Sequence, residues 1–254
     1  MWFPIVVPTW MISFSLSVIL LKWLVIGKYR KGIIRIPSIA YLQWWFIDRA
    51  VSLWEFWVGQ FIMDTPLINL FYFLMGVRVD HSVSIDAFLR EFDLIKISEH
   101  SSIESSIHCR KFGPWDEPDG PSLHFCNITI GSKCVVKGMV SIGSNLKDQA
   151  YVERLSVVAE GATVPSDICA VGNPAFAMKS SKSIKIHNHP WSLGLLKVCW
   201  LVLELYHFFA LSFLGQWLWG SHLPHQWHYN PLLQWSLVIL WCSVMSVISS
   251  IVIK

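Results

Sequence analysis

Two histidines flank the part of the sequence that is best suited to proton transfer. His108 directly precedes a run rich in proline, glycine and acidic residues, and His124 lies near its end. The run contains Glu117 and Asp119. Imidazole titrates near neutral pH and can accept a proton from an attacking hydroxyl or amine. We therefore expect His108, and after it His124, to act as a general base, with Glu117 or Asp119 orienting the ring; a solvated or purely structural histidine is the alternative.

A six-residue repeat surrounds these residues and must position them. Apolar residues recur every six positions at Ile128, Cys134, Val140, Leu146, Val152, Val158 and Val164. Small residues follow four positions after each of the first six, at Ser132, Gly138, Ser144, Ala150, Ser156 and Ala162. This period predicts a left-handed parallel β-helix over 66–178, in which three short strands make one coil and small residues form the corners.

Two observations refine this prediction. An antiparallel sandwich would need period-2 strands and turn pairs every 8–12 residues, and the segment lacks them. The repeat is interrupted between Cys109 and Asn127 by three Pro-containing turn pairs. Because proline and glycine at this density cannot continue a coil, we expect a loop excursion over 109–127.

The composition divides the chain between lipid and water. Of its 254 residues, 54% are hydrophobic and only 15% are charged. Trp115 is the single tryptophan between 66 and 178, whereas fourteen others lie nearer the two ends. A net charge of +3, without a basic stripe carrying interleaved aromatic residues, gives no indication of nucleic-acid binding.

The apolar stretches predict transmembrane helices on both sides of the β-helix. Spanning a bilayer needs about 20 apolar residues, and segments within 1–27 and 191–254 supply one and two such helices. Trp44 to Met63 carries three charges and four tryptophans, which is typical of an amphipathic helix in the membrane interface, so 28–65 is expected to be a basic loop followed by that helix. The positions of the basic residues indicate whether this helix crosses the membrane as a fourth span or lies flat.

Basic residues set the predicted orientation. They cluster in 28–35 and in the linker 179–190, on either side of the β-helix, whereas 220–231 has no lysine or arginine. By the positive-inside rule, three spans with a flat Trp44–Met63 helix put both clusters on one side. The sequence thus predicts a multi-pass integral membrane protein whose β-helix faces the cytoplasm.

Several motifs resemble a known family. Residues 161–165 (Gly-Ala-Thr-Val-Pro) and 171–175 (Val-Gly-Asn-Pro-Ala) resemble the last coil of the hexapeptide-repeat acyltransferases. Upstream, 21–32, Asp64-Thr65-Pro66-Leu67 and Leu74-Met75-Gly76 resemble the membrane-bound terminal region of poly-lysine-synthetase-type nonribosomal peptide synthetases. The similarity covers about residues 20–178.

The resemblance implies a homotrimer that transfers an acyl or aminoacyl group from a thioester donor to an amine or hydroxyl. It places a histidine at about the position of His108. Coenzyme A or a carrier-protein thioester, made by another protein, would be the co-substrate, with no resident cofactor or metal. Two other functions remain open: a non-catalytic scaffold or assembly subunit of a membrane complex, and a carbonic-anhydrase-like metalloenzyme in which His100, His108 and His124 converge across a subunit interface.

Overall fold

The structure is a computed structural model that describes residues 3–114 and 120–179. Residues 11–179 of this described part belong to one compact unit, whereas the first turns of the N-terminal helix, up to Trp10, are grouped in a second unit. The predicted linker 179–190 beyond Lys179 and the predicted transmembrane helices in 191–254 lie outside the described residues.

Four helices precede the repeat. Helix α1 is Phe3–Val25, and α2 is Ile39–Trp54. Helix α2 continues through a π-helical turn, Glu55–Gly59, into a last short helix α3, Gln60–Ile62. Helix α4, Pro66–Met75, starts at a proline in its first turn and ends at Gly76 in a left-handed conformation. The amphipathic helix predicted at Trp44–Met63 therefore begins earlier, at Ile39, where Ser38 caps it by accepting a hydrogen bond from the Tyr41 N–H.

The described residues contain eighteen strands. Strand β1 (Gly32–Arg35) lies between α1 and α2, and the other seventeen follow α4. Face 1 of the β-helix contains β2 (Arg78–Val79), β5 (Ile95–Ile97), β10 (Ile128–Ile130), β13 (Asn145–Leu146) and β16 (Thr163–Val164). Face 2 contains β3 (Ser84–Ile85), β6 (Ser102–Ile103), β11 (Val135–Val136), β14 (Tyr151–Val152), β17 (Ile168–Val171) and the antiparallel β18 (Phe176–Lys179). Face 3 contains β4 (Leu89–Arg90), β7 (Ile107–His108), β12 (Met139–Val140) and β15 (Val157–Val158).

The pairing confirms the predicted left-handed parallel β-helix. Its core is a column of apolar side chains from all three faces, including Ile85, Ile103, Val136 and Val152, each at most 1% exposed. The first strand of the solenoid begins at Arg78, because Pro66–Met75, which the sequence analysis placed within the β-helix, forms α4 instead.

Within the predicted series from Ile128 to Val164, the six-residue period has one break that the sequence pattern did not reveal. Leu146 pairs with Ile130, not with Ile128, and Val152 pairs with Val136, not with Cys134. The inward series therefore runs through Ile130 and Val136 and then shortens by two residues to reach Val140. Gly138 makes this tight corner feasible, since a Cβ there would lie 2.4 Å from the Glu153 carbonyl oxygen. Alternating apolar residues at 128, 130, 134 and 136 concealed the shift.

Helix α4 closes the open end of the solenoid. Its Tyr72 hydroxyl accepts a hydrogen bond from the Leu89 N–H and donates to the Ala87 carbonyl, and Asn69 donates to the Val83 carbonyl. The edge of a sheet needs such partners for its backbone groups. Helix α4 leads directly into the first strand of the solenoid and buries Ile68, Phe71 and Met75.

The predicted excursion 109–127 leaves the coil, but its two arms are strands. Strand β8 (Arg110–Phe112) pairs with β9 (Ser122–Phe125) as an antiparallel hairpin, and β9 pairs on its other edge with β1. The tip of the hairpin, 115–119, lies outside the described residues.

The end of α1 is fixed to the solenoid. Lys22, with no exposed side-chain surface, lies 2.7 Å from the Asp93 carboxylate, and the Trp23 indole donates to the Leu74 carbonyl of α4. Among the described helices, α1 contains one stretch, Pro8–Val25, that is long and apolar enough to cross a membrane by length and composition.

Candidate functional site

Face 3 carries the first predicted site residue. Leu89 and Ile107 point into the core and are fully buried, so the next residues, Arg90 and His108, point outward because side chains alternate along a strand. The register of β4 and β7 places Arg90 directly beside His108 on adjacent coils. His108 is also the last residue of β7, and one residue, Cys109, separates it from the hairpin strand that begins at Arg110.

Helix α2 covers this face with polar side chains. Asp48, Ser52 and Glu55 recur at intervals of four and three residues, which places them on one side of the helix. All three face Arg90. Its guanidinium binds the Glu55 carboxylate, donates to the Ser52 hydroxyl at 3.1 Å and donates to the Asp48 carbonyl at 3.3 Å.

A second arginine joins the helix to the hairpin. The Arg110 guanidinium donates to the Asp48 carboxylate at 2.9 Å and to the Glu91 carboxylate at 2.7 Å, and it lies over the ring of Trp44. Glu91, 2% exposed, also accepts hydrogen bonds from the Trp44 indole and from the Cys109 N–H. Its backbone is left-handed, with φ 55°. These three contacts hold the residue in a conformation that is unfavourable for a non-glycine residue.

Burial and positive charge keep His108 neutral. Burial, together with the charges of Arg110 and Arg90, lowers the pKa of its imidazole to about 4 against the opposing effect of Asp48. Its Nδ1 atom is buried and has no hydrogen-bond partner in the described structure. A buried ring nitrogen without a partner is costly, so it is expected to meet a water or a ligand group.

The same network contains a carboxyl group that titrates near neutral pH. Two guanidinium groups, of Arg90 and Arg110, face three carboxylates, of Asp48, Glu55 and Glu91. Burial raises the pKa of Glu55 to about 7, against the opposing charge of Arg90. For Asp48, hydrogen bonding from Arg49 and the charges of Arg110 and Arg90 outweigh burial and hold its pKa below the usual range. The charge of Glu55 therefore changes near neutral pH.

Glu55 lies in an unusual backbone segment. It is the first residue of the π-helical turn, and its Oε1 atom is buried without a partner in the described structure. Such turns are frequent at functional sites. Gly59 ends the turn, where a Cβ would lie 3.0 Å from the Trp54 ring and 3.2 Å from the Phe88 ring. Close packing of the turn against the solenoid thus requires a glycine at this position.

Two of the four predicted site residues, His108 and His124, are described, and they lie on different strands. His124 lies on the hairpin strand β9, where its Nε2 is 2.8 Å from the hydroxyl of Ser122. Glu117 and Asp119, the predicted orienting carboxylates, lie outside the described residues. The carboxylates that the described structure brings near His108 belong to Asp48 and the network around it.

Sequence reasoning missed these network residues. Asp48 and Glu55 were interpreted as charges of an interfacial helix, although their spacing of seven places them on one helical face. Arg90 lies eighteen residues before His108, one full coil of the repeat, and this spacing was the available signal.

The metalloenzyme alternative receives no support from the described residues. Among them, no three histidine, cysteine or acidic side chains are arranged to hold a metal ion. His100 occupies a corner between faces 1 and 2 with φ 53°, whereas His108 lies on face 3 and His124 on the hairpin.

Comparison with known proteins gives one curated relative. The chain is 25% identical over 175 residues to a Delta-poly-L-ornithine synthetase of Acinetobacter baumannii, an alignment that covers 63% of this chain and 12% of that protein. This chain therefore spans about an eighth of the relative's length. The resemblance to hexapeptide-repeat proteins and to this class of synthetase is confirmed. No protein-family model matches the chain.

Solved structures with a similar fold include acyltransferases. A maltose O-acetyltransferase from Clostridium difficile 630 matches with a TM-score of 0.32 and 22% identity, covering 40% of this chain and 56% of that one. AntD, an N-acyltransferase from Bacillus cereus crystallised with dTDP and 3-hydroxybutyryl-CoA, matches with a TM-score of 0.28 and 14% identity, covering 47% and 65%. Soybean serine acetyltransferase matches with a TM-score of 0.24 and 17% identity, covering 55% and 53%.

Proposed function

We propose that this protein is a membrane-attached acyl or aminoacyl transferase that uses His108 as general base. The observation that carries the proposal is the position of His108: it points outward on face 3, where the hairpin leaves the coil, and its Nδ1 atom is buried and unpartnered. The similarity to a Delta-poly-L-ornithine synthetase supports a reaction in which an activated acyl group meets an amine.

The proposed step is a displacement at a thioester. The acceptor nitrogen or oxygen attacks the carbonyl carbon while His108 accepts its proton; the carbon–sulfur bond then breaks, and the proton passes to the departing thiolate. Coenzyme A or a carrier protein would provide that thiol, and another protein would provide the activated donor. Because burial, and after it the charges of Arg110 and Arg90, lower the pKa of His108 to about 4, its proton-accepting form is present throughout the physiological range.

Membrane attachment is supported by the helices. Together, α1, α2 and α4 leave large apolar side chains exposed on the surface opposite their buried polar contacts. These include Leu16, Leu20, Leu24, Leu42, Trp45, Phe46, Leu53, Phe56, Trp57, Leu70 and Phe73. We propose that α1 crosses the bilayer, that α2 lies in the interface, and that the β-helix faces the cytoplasm. Wild-type protein is expected to float with lipid vesicles and to stay bound to them in alkaline carbonate. Release by carbonate would contradict a membrane-spanning α1.

A homotrimer is the proposed assembly. In the coils that follow His108, face 3 and the corner before it expose apolar side chains. Met139 is 56% exposed and Leu155 is 95% exposed. Leu155 lies in a left-handed turn with φ 60°, and in the proposed trimer a second copy of the chain buries it. In detergent, mass measurement is expected to show trimers for wild type and smaller species for Leu155→Glu. Monomers of the wild type would contradict the assembly.

The activity itself is tested with donors of both kinds. Full-length protein in detergent is incubated with acyl-coenzyme A or a carrier thioester and with amine or hydroxyl acceptors, and acylated product is detected by mass spectrometry. Transfer that exceeds the uncatalysed rate is expected for one donor class. A protein that forms trimers yet consumes no donor is instead the scaffold or assembly subunit.

A further inference from the structure

A cavity of about 860 Å³ lies at the base of the solenoid, away from His108. The segment that follows α1 forms one wall, the end of α4 another, and face 1 of the first coils a third. Its lining includes four cationic side chains, of Lys28, Arg30, Arg78 and Lys96.

Two of these cations are placed against each other. Arg78 and Lys96 are register partners on β2 and β5, and both point outward from face 1. Like charges directly opposite on neighbouring strands destabilise a sheet. No ion pair joins any of the four cations to a carboxylate in the described ranges 3–114 and 120–179.

The acidic residues of the cavity neutralise only part of this charge, because two carboxylates, of Asp80 and Glu99, accompany four cations once Asp93 is paired with Lys22. Asp93 is engaged by Lys22 at 2.7 Å. Asp80 accepts hydrogen bonds from the N–H and the hydroxyl of Ser82, at 2.9 and 2.7 Å. Glu99, which is exposed, is the third acidic residue of the lining. The cavity therefore retains an excess of positive charge that an anion would offset.

The rim of the cavity is apolar and belongs to the proposed membrane face. Trp23 and Phe73 line the cavity and are 38% and 62% exposed. The indole of Trp23 is held by the Leu74 carbonyl, which fixes α1 against α4 at this point. Beyond the rim, Leu24 is 74% exposed. Aromatic residues at the end of an apolar helix, next to cations, are typical of the level of lipid headgroups.

We infer that this cavity binds the phosphate of an anionic membrane lipid, with Arg78 and Lys96 holding the phosphate and the acyl chains lying along α1 and α4. The phosphate site is independent of the acyl transfer proposed above. The choice of a lipid as its bearer rests on the proposed membrane attachment. A soluble phosphate, such as inorganic phosphate or that of coenzyme A, shares this chemistry.

The test measures the thermal unfolding midpoint of the full-length protein in a neutral detergent. Short-chain phosphatidylglycerol is added, and equal concentrations of short-chain phosphatidylcholine, inorganic phosphate and coenzyme A serve as the other arms. Only phosphatidylglycerol is expected to raise the midpoint. In the R78Q/K96Q variant the apparent affinity for phosphatidylglycerol should fall about tenfold or more, because the charged hydrogen bonds from Arg78 and Lys96 to the phosphate are lost.

Two controls make the result specific. Lys147→Gln removes an exposed lysine of the solenoid outside the cavity and should keep the wild-type response. Without lipid, Arg78→Gln should unfold at the same or a higher temperature than wild type, because the like-charge pair is relieved. An equal response to phosphatidylcholine, or an unchanged response in R78Q/K96Q, would overturn the site. An equal response to inorganic phosphate or coenzyme A would overturn the inference that the bound phosphate belongs to a lipid. None of these readouts depends on acyl transfer.

Discussion

Arg90 and His108 are register partners on adjacent coils, so a guanidinium that helix α2 covers lies directly beside the imidazole. Arg90 is held by three groups of α2, and it is 8% exposed. The pKa of His108 therefore depends on how α2 packs against face 3. It links the helical layer to the proposed chemistry.

The first consequence concerns the pH dependence of transfer. With its pKa lowered to about 4, His108 remains the neutral base far below its ordinary titration range. The acidic limb of the kcat/KM profile should therefore lie near pH 4. Rates measured between pH 4 and 8, over the range in which the thermal midpoint shows folded protein, check this. A limb near the ordinary histidine value of about 6.5 would contradict it.

His108 should also make stability depend on pH. Its pKa is lower in the folded state, so the unfolded chain binds more protons between about 4 and 6.5, and stability rises with pH across that window. His108→Gln should abolish this rise, which is on the order of 2 kcal/mol. Unfolding midpoints of both proteins at pH 4.5 and 7.5 measure the difference, in which the contribution of Glu55 is common and cancels. Parallel curves for the two proteins across the window would contradict the assignment.

The buried network should be far more important for stability than surface pairs. Asp48→Asn leaves Arg110 with only one of its two carboxylate partners, and removing one partner of a buried pair typically costs about 3–5 kcal/mol. Glu104 is a matched control, since its pairs with Lys137 and Arg154 are partly exposed and should contribute about 0–1 kcal/mol. Thermal unfolding of Asp48→Asn and Glu104→Gln compares them. Equal losses would show that the network is not structural.

Gly76 should be essential for the junction of α1 with the solenoid. It has φ 107°, and a Cβ there would lie 2.5 Å from the Asp93 carboxylate that binds Lys22. Gly76→Ala should cost about 1–3 kcal/mol from the backbone conformation alone. Gly32→Ala is the control, because a Cβ at Gly32 meets nothing within 4 Å. A Gly76→Ala protein as stable as Gly32→Ala would refute this role.

The solenoid was predictable because its repeat is local. A coil needs one inward residue per face and small residues at its corners, and both recur along the chain itself. The two-residue shortening before Val140 was not predictable from the sequence. Ile128 and Ile130 are equally apolar, and the pairing register is decided by contacts between coils. Helix α4 was hidden for the same reason: an apolar decapeptide fits a buried strand or a capping helix equally well.

The site was predictable only in part. His108 stood out because the repeat is interrupted next to it, and the structure places it on the outer surface of face 3. The charged groups that act on His108 include Asp48 and Arg90, which are 60 and 18 residues away, and only the spacing of Arg90, one coil, gave a sequence signal. Contacts between separate elements depend on how α2 docks, and no periodicity encodes that docking.

The most direct test of the proposed chemistry is the rate of acyl transfer by His108→Ala, measured beside wild type and His124→Ala with the donor that wild type consumes. Loss of a general base typically lowers the rate about 10²–10⁴-fold, so His108→Ala should fall by that factor while its assembly and unfolding midpoint show a folded protein. His124→Ala, which loses only the bond to Ser122, should fall less. Full activity of His108→Ala would contradict the proposed mechanism.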